Sequence, residues 1–224
     1  MEEEHEELQR MMDGMKEAIK DAYTLKQKYY ITTSGENYAC SINPHDGDAG
    51  GSGAVIICSK TNRILSTASK ELTEQLQLLR QEVNGWITWK NPLITPVILA
   101  IQGISRMERQ TAYNEGSLTS ETFRNGQYLC TGLTMFLTRE PNIYEAMALV
   151  HSRISRVIHG VPRINGGGFG GGILHGITSN SNDGNIGEPP VYIHNLPGIN
   201  HHYRVFCCNP NSDLYKECRK LHPF

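Results

Sequence analysis

The fold is decided by the stretch LTMFLTREPNIYEAMALVHSRI, which spans residues 133–154. Residues 133–138 predict a strand, and Asn142 is a candidate N-cap for the helix predicted over Ile143 to Ser152. Arg153 to His159 then alternates in a way that is typical of a second strand. Because a strand, a helix and a strand follow one another with short connections, we expect a parallel strand pair in a layered α/β or α+β domain.

The segments on both sides of this unit supply further elements. Two short strands joined by a tight turn are predicted at 53–58 and 63–68. We expect helices at Glu2 to about Tyr30, at 70–82, from Thr95 onward and at 214–221. We also expect an edge strand at 203–207. We expect these elements to form a single domain over residues 1–224.

Three stretches lack a sustained period and are predicted to be loop insertions, at about 31–52, 108–127 and 160–198. The last of them contains the run GGGFGGG at residues 166–172, which predicts a mostly mobile surface insertion because glycine loses much backbone entropy in regular structure. This run formally matches the dinucleotide fingerprint G-x-G-x-x-G. No helical period and no suitably placed acidic residue follow it, so dinucleotide binding is disfavoured.

Composition excludes several classes of protein. With 38% hydrophobic residues the chain can bury a core, and its formal net charge of −2 gives no general attraction for nucleic acid or an anionic membrane. No apolar run approaches the ~20 residues that cross a bilayer, the start of the chain is acidic, and the six cysteines form no C-x-x-C pair. We therefore expect a cytoplasmic or nuclear protein that contacts RNA only locally or through a partner.

Few other motifs point to chemistry. The sequence has no nucleophile elbow, phosphate-binding Lys-Ser/Thr loop or His-Glu-x-x-His motif. The adjacent pair His201 and His202 would point to opposite faces of an extended segment, which disfavours a shared metal ion. His151, Arg153 and Arg156 form a small basic patch that could contact RNA phosphates or could be an ordinary solvated face.

Three sequence blocks together carry a family resemblance: NPLITPVI at 91–98, YLCTG at 128–132 leading to TREP at 138–141, and AMALVHSRI at 146–154. They resemble the non-catalytic subunit of the tRNA wobble-adenosine deaminase, in the cytidine deaminase-like superfamily. Weaker similarity extends over 11–13, 53–65 and 200–206. The resemblance implies an α/β fold, a three-layer α/β/α arrangement with a central mixed sheet, and it covers most of the predicted core.

The same resemblance indicates a degenerate zinc site. Zinc deaminases carry His-x-Glu at the start of one helix and Pro-Cys-x-x-Cys at the start of the next, which together hold zinc and its activated water. The positions that match the histidine and the proton-shuttling glutamate are Thr95 and Val97, and those that match the two thiolates are Asn142 and Glu145. Valine at the shuttle position resembles the non-catalytic subunit, but that subunit is expected to keep its zinc ligands. We predict a metal-free site in which Asn142 and Glu145 stabilise the helix start.

What the resemblance implies is a catalytically inactive subunit with no catalytic residue and no cofactor of its own. It would pair as a heterodimer with a zinc-containing catalytic subunit, which converts adenosine to inosine at the tRNA wobble position. The implied interface lies on the second and third core helices, with Ile98, Ile101, Met147 and Val150 as interface or core candidates. The resemblance begins near Met11, so we expect the family's N-terminal tRNA-gripping domain to be absent and tRNA to be reached through the complex.

Two other functions remain open from the sequence. The chain could be a pseudoenzyme that acts as a scaffold or an RNA-associated interaction protein with no role in deamination, and its partners would then include no zinc deaminase. It could also be an active zinc hydrolase, which stoichiometric zinc in the purified protein would reveal.

Overall fold

The computed structural model describes residues 2–35, 52–82, 93–114, 130–163, 166–170 and 191–222. The helices are α1 (Glu2–Gly35), α2 (Ala68–Glu82), α3 (Pro96–Asn114), α4 (Ile143–His151) and α5 (Asp213–Leu221). The strands are β1 (Ala54–Cys58), β2 (Ile64–Thr67), β3 (Leu133–Arg139), β4 (Arg156–Val161) and β5 (Arg204–Cys207). Within these residues no helix is both long enough and apolar enough to cross a bilayer.

The strands form one mixed sheet in the order β2-β1-β3-β4-β5. The strand β1 runs antiparallel to both β2 and β3, whereas β4 is parallel to β3 and β5 is parallel to β4. The parallel pairing of β3 and β4, which places Met135 beside Val157, is the pairing predicted from the strand-helix-strand order.

Helices cover both faces of this sheet. On one face α1 and α5 pack on a cluster that includes Met15, Val55 and Phe136. On the other face α2, α3 and α4 bury a larger cluster, which includes Leu99 and Leu149. The expected three-layer α/β/α arrangement with a central mixed sheet is confirmed, and it places the starts of α3 and α4 beside the end of β3.

Two predicted loops are helical where they are described. The helix α1 continues to Gly35, so the loop expected over 31–52 begins later, and α3 continues to Asn114 into the loop expected over 108–127. The polar residues at the end of α3 are exposed, as the outer face of a surface helix allows. Residues 36–51 and 115–129 lie outside the described residues.

The strand predicted over Arg153 to His159 begins later, at Arg156, because the residues before it end α4. Arg153 has a φ of 57°, in the left-handed region. Its N–H donates to the Val150 carbonyl at 3.1 Å, and the Ile154 N–H donates to the Leu149 carbonyl at 3.3 Å. This pair of hydrogen bonds is the Schellman motif of a helix C-terminus, which alternation in the sequence does not reveal.

The prediction of a mostly mobile, glycine-rich insertion over 160–198 is wrong for two parts of this segment. The strand β4 includes Gly160 and Val161, and Phe169 and Ile193 are buried in the larger core cluster. A Cβ on Gly167 would lie 2.4 Å from Glu140 Oε1, so this glycine permits a close approach of the backbone. Residues 171–190 lie outside the described residues.

A buried histidine joins the end of α5 to the sheet and makes stability sensitive to acid. His222 Nε2 lies 3.0 Å from Thr138 Oγ1, which also accepts the Gly53 N–H at 2.9 Å. Burial, together with the charges of Arg139 and Lys26, lowers the pKa of His222 to about 3. The neutral imidazole is therefore the form that the folded protein holds.

We expect acid to destabilise the protein through this histidine. Since its folded-state pKa is depressed, its contribution is complete above pH 6.5, the usual pKa, and is lost as the pH falls toward the folded-state value. Lowering the pH to about 5 should reduce the free energy of unfolding by about 2 kcal/mol, and the reduction should be seen as a fall in Tm. His222→Gln should flatten this dependence and His5→Gln, at an exposed position, should not. An equal pH slope in wild type and His222→Gln would show that another group is responsible.

Candidate functional site

The four positions that the resemblance matches to a zinc site, called here the degenerate zinc site, come together between α3 and α4. Thr95 precedes α3 and its hydroxyl hydrogen-bonds to the Glu145 side chain in the first turn of α4. Asn142 is the N-cap of α4, and Val97 lies buried in the first turn of α3. An aliphatic side chain cannot carry a proton, so Val97 offers no substitute for a proton shuttle.

Asn142 is the N-cap of α4, as predicted, and together with Glu145 it forms a capping box, which was not predicted. The Glu145 N–H donates to Asn142 Oδ1 at 2.8 Å, and the Asn142 N–H donates to Glu145 Oε2 at 2.9 Å. Two of the free N–H groups at the helix start are thereby satisfied. Both side chains therefore already accept hydrogen bonds from backbone N–H groups at the N-terminus of α4.

A buried arginine, Arg163, completes the site. Its Nη2 lies 3.5 Å from Glu145 Oε2, a distance that makes an ion pair. Burial raises the pKa of the Glu145 carboxyl, while the Asn142 N–H, the Thr95 hydroxyl and the charge of Arg139 act in the opposite direction. Burial favours the neutral acid, whereas the hydrogen bonds and the nearby guanidinium groups of Arg139 and Arg163 favour the carboxylate, which is the form that the ion pair with Arg163 stabilises.

These residues do not fit a zinc ion. The Thr95 hydroxyl and the Asn142 amide are weak neutral donors, and the carboxylate of Glu145 is engaged by Arg163. A divalent cation here would also be repelled by the guanidinium charge. Among the residues that the structure describes, no three His, Cys, Asp or Glu side chains are grouped so that they could hold a metal.

The predicted RNA-contact residues lie elsewhere. Arg156 begins β4, whereas the degenerate zinc site lies at the end of β3, and because the two strands are parallel these are opposite edges of the sheet. The Arg156 guanidinium pairs with Glu7 of α1, and its Nε donates to Thr134 Oγ1 at 3.3 Å. His151 is exposed, while Arg153 forms the turn that ends α4.

The predicted interface residues divide into two groups. Val150 is buried in the core, whereas Ile98, Ile101 and Met147 are half-buried. Spacings of three residues place Ile98 with Ile101 on α3, and Tyr144 with Met147 on α4.

Sequence reasoning missed the exposed apolar side chains next to these positions. Leu93 is 55% exposed and Tyr144 is 43% exposed, and the Tyr144 hydroxyl donates to the Leu93 carbonyl at 3.4 Å. Both flank helix starts, where helical periodicity gives no signal. We call the set Leu93, Ile98, Ile101, Tyr144 and Met147 the α3/α4 surface.

Comparison with known proteins was made by sequence and by structure. No family model matches the chain. Over 96 residues, or 43% of this chain, it is 36% identical to the probable inactive tRNA-specific adenosine deaminase-like protein 3 of Rattus norvegicus and 38% identical to that of Homo sapiens. The resemblance to tRNA-specific adenosine deaminase-like proteins is confirmed. Over 82 residues it is also 38% identical to the tRNA-specific adenosine deaminase TAD3 of Arabidopsis thaliana.

The matches to these tRNA deaminase relatives are partial. The matched region covers 21% of the rat and human proteins and 15% of the Arabidopsis protein. A solved chain from a study of A-to-I editing by tRNA:A34 deaminases aligns with a TM-score of 0.44 at 17% identity, over 79% of this chain and 88% of that chain. The dCMP deaminase of cyanophage S-TIM5 aligns with a TM-score of 0.33 at 12% identity, over 66% and 82% of the two chains.

Proposed function

We propose that this chain is a catalytically inactive subunit that supports a zinc-dependent partner in converting adenosine to inosine at the tRNA wobble position. The observation that carries the proposal is the state of the degenerate zinc site. Val97 occupies the position that matches the proton carrier, and the Glu145 carboxylate is paired with Arg163. Hydrolytic deamination needs an activated water and a proton carrier, and these residues supply neither.

The proposed contribution of this chain is a docking surface. The α3/α4 surface presents apolar side chains next to the degenerate site, and exposed aromatic residues such as Tyr144 are typical anchors of protein interfaces. We propose that the catalytic subunit docks here as the other half of a heterodimer. This chain would hold no cofactor, and the zinc would belong to its partner.

RNA binding is proposed to depend on the complex. The net charge of −2 gives no general attraction for RNA phosphates, and Arg156 of the predicted basic patch is paired with Glu7. We propose that the assembled heterodimer binds tRNA and acts in the cytoplasm, the nucleus or both.

The proposal is tested by removing this chain from cells. Inosine at the wobble position, read as A-to-G changes after reverse transcription of tRNA, should fall and should return when the chain is re-expressed. The re-expressed chain should also co-purify a zinc deaminase. Unchanged inosine after removal would overturn the proposal. Partners that include no zinc deaminase would favour the scaffold function instead.

A further inference from the structure

Four charged side chains lie close together near the N-terminus of α4. Arg139 and Glu140 come from the end of β3, Glu145 from the first turn of α4, and Arg163 from the segment after β4. Glu140 is 1% exposed and Glu145 is 5% exposed. We call these residues the Arg163 cluster, and its two carboxylates and two guanidinium groups balance in charge.

Arg163 is the member that joins the others. Its backbone N–H donates to Glu140 Oε2 at 2.9 Å, its Nε donates to the Glu140 carbonyl at 3.3 Å, and its Nη2 pairs with Glu145. The second oxygen of Glu140 accepts the Phe169 N–H at 2.8 Å. Arg163 thereby connects the end of β3 to the start of α4, and Glu140 connects both to the glycine-rich segment at Phe169.

The position of Glu145 relates this cluster to the zinc site of the resembling deaminases. By resemblance it matches a thiolate ligand of zinc deaminases, where one cation holds the helix starts together. A buried carboxylate needs a cation close by, since burial without a partner is costly. A guanidinium group suits this role because it is always charged and its several donors can reach more than one acceptor.

We propose that the Arg163 guanidinium replaces the metal ion as the cation that cross-links this site. The site is then a cation-binding site filled from within the chain, and its integrity depends on Arg163 and not on zinc. This inference goes beyond the proposed function, because it holds whichever partner the chain has.

The test is the thermal stability of the full chain with Arg163→Met, which keeps much of the side-chain volume and removes the charge. We expect Tm to fall by about 10 °C, because the change removes one of the two cations that compensate the buried carboxylates Glu140 and Glu145. Amide exchange at Phe169 should become faster, since the Glu140 carbonyl loses the Arg163 Nε hydrogen bond, although the Glu140 carboxylate keeps the backbone N–H of residue 163. In Arg163→Ala, millimolar guanidinium chloride should raise Tm while equal sodium chloride should not.

The matched control is Arg63→Met, the same change at an exposed arginine in the turn between β1 and β2. Its Tm should equal that of wild type. Neither zinc nor a chelator should change the Tm of the wild-type protein. An unchanged Tm in Arg163→Met, or a wild-type Tm that falls on chelation, would overturn the proposal.

A double variant covers the case in which Arg163→Met does not fold. Adding Glu145→Gln removes the carboxylate that Arg163 pairs with, so the double variant should be more stable than Arg163→Met alone. A double variant that is no more stable than the single one would show that the pairing does not hold the site.

Discussion

Ile98→Asp is expected to weaken binding of the catalytic partner by about 100-fold and to lower wobble inosine accordingly. The substitution places a charge on the proposed docking surface, where binding would have to desolvate it, and the few anchor residues of an interface lose about 2 kcal/mol or more when they are changed. Ile98 is half-buried and, among the described residues, belongs to neither core cluster. The variant should therefore keep the wild-type Tm while its affinity for the partner, measured by titration calorimetry, is lost.

Leu8→Asp provides the control for this experiment. Leu8 is also exposed and apolar, but it lies on α1, which covers the opposite face of the sheet. Its affinity for the partner should match that of wild type. Full affinity in Ile98→Asp would exclude the α3/α4 surface as the docking site, and an equal loss in both variants would indicate a non-specific effect of the added charge.

Asp21→Ala is expected to destabilise the folded protein by about 4 kcal/mol, because two buried N–H groups lose their acceptor. Asp21 Oδ2 accepts the Ala54 N–H at 3.1 Å, and its Oδ1 accepts the Ser69 N–H at 3.0 Å. Burial raises the pKa of this carboxyl, while its hydrogen bonds to Ser69, Ala54 and Thr67 act to lower it. One side chain therefore holds α1 against the start of β1 and the start of α2.

Chemical denaturation is the measurement for Asp21→Ala, with Asp13→Ala on the same helix as the control. The Asp13 side chain is 48% exposed and interacts with Lys16 and Gln9 on the surface, so its removal should leave the denaturation midpoint unchanged. Asp21→Asn keeps one acceptor and should fall between wild type and Asp21→Ala. Equal midpoints for Asp21→Ala and Asp13→Ala would show that the buried hydrogen bonds do not hold α1.

Local signals explain what could be predicted about the site. The capping box depends on Asn142 and Glu145, which are three residues apart, so a helix N-terminus could be read from the sequence. The resemblance of three blocks to known tRNA deaminase subunits placed Thr95 opposite this helix start. The interface prediction was less complete, because the period of a helix does not distinguish Val150 in the core from an exposed neighbour such as Tyr144.

Contacts between distant segments explain what was missed. Arg163 lies within a predicted insertion, and its ion pair with Glu145 arises only because β4 returns beside β3. Arg156 met the criteria for a phosphate contact, yet it pairs with Glu7, which is 149 positions away in the chain. Glycines that predicted a mobile loop instead allow the backbone at Gly167 to approach Glu140 closely.

The resemblance to tRNA deaminase subunits indicated that Thr95 and Glu145 stand at the positions of zinc ligands. The sequence by itself determined the layered α/β class, the order of its elements and the helix start at Asn142. These follow from residue types and short spacings, which act within one element. Only the tertiary structure decided that Arg163 pairs with Glu145, that Glu7 engages Arg156, and that Phe169 belongs to the core. The partner of a buried charge is set by which chain segments pack together, and that is a property of the whole fold.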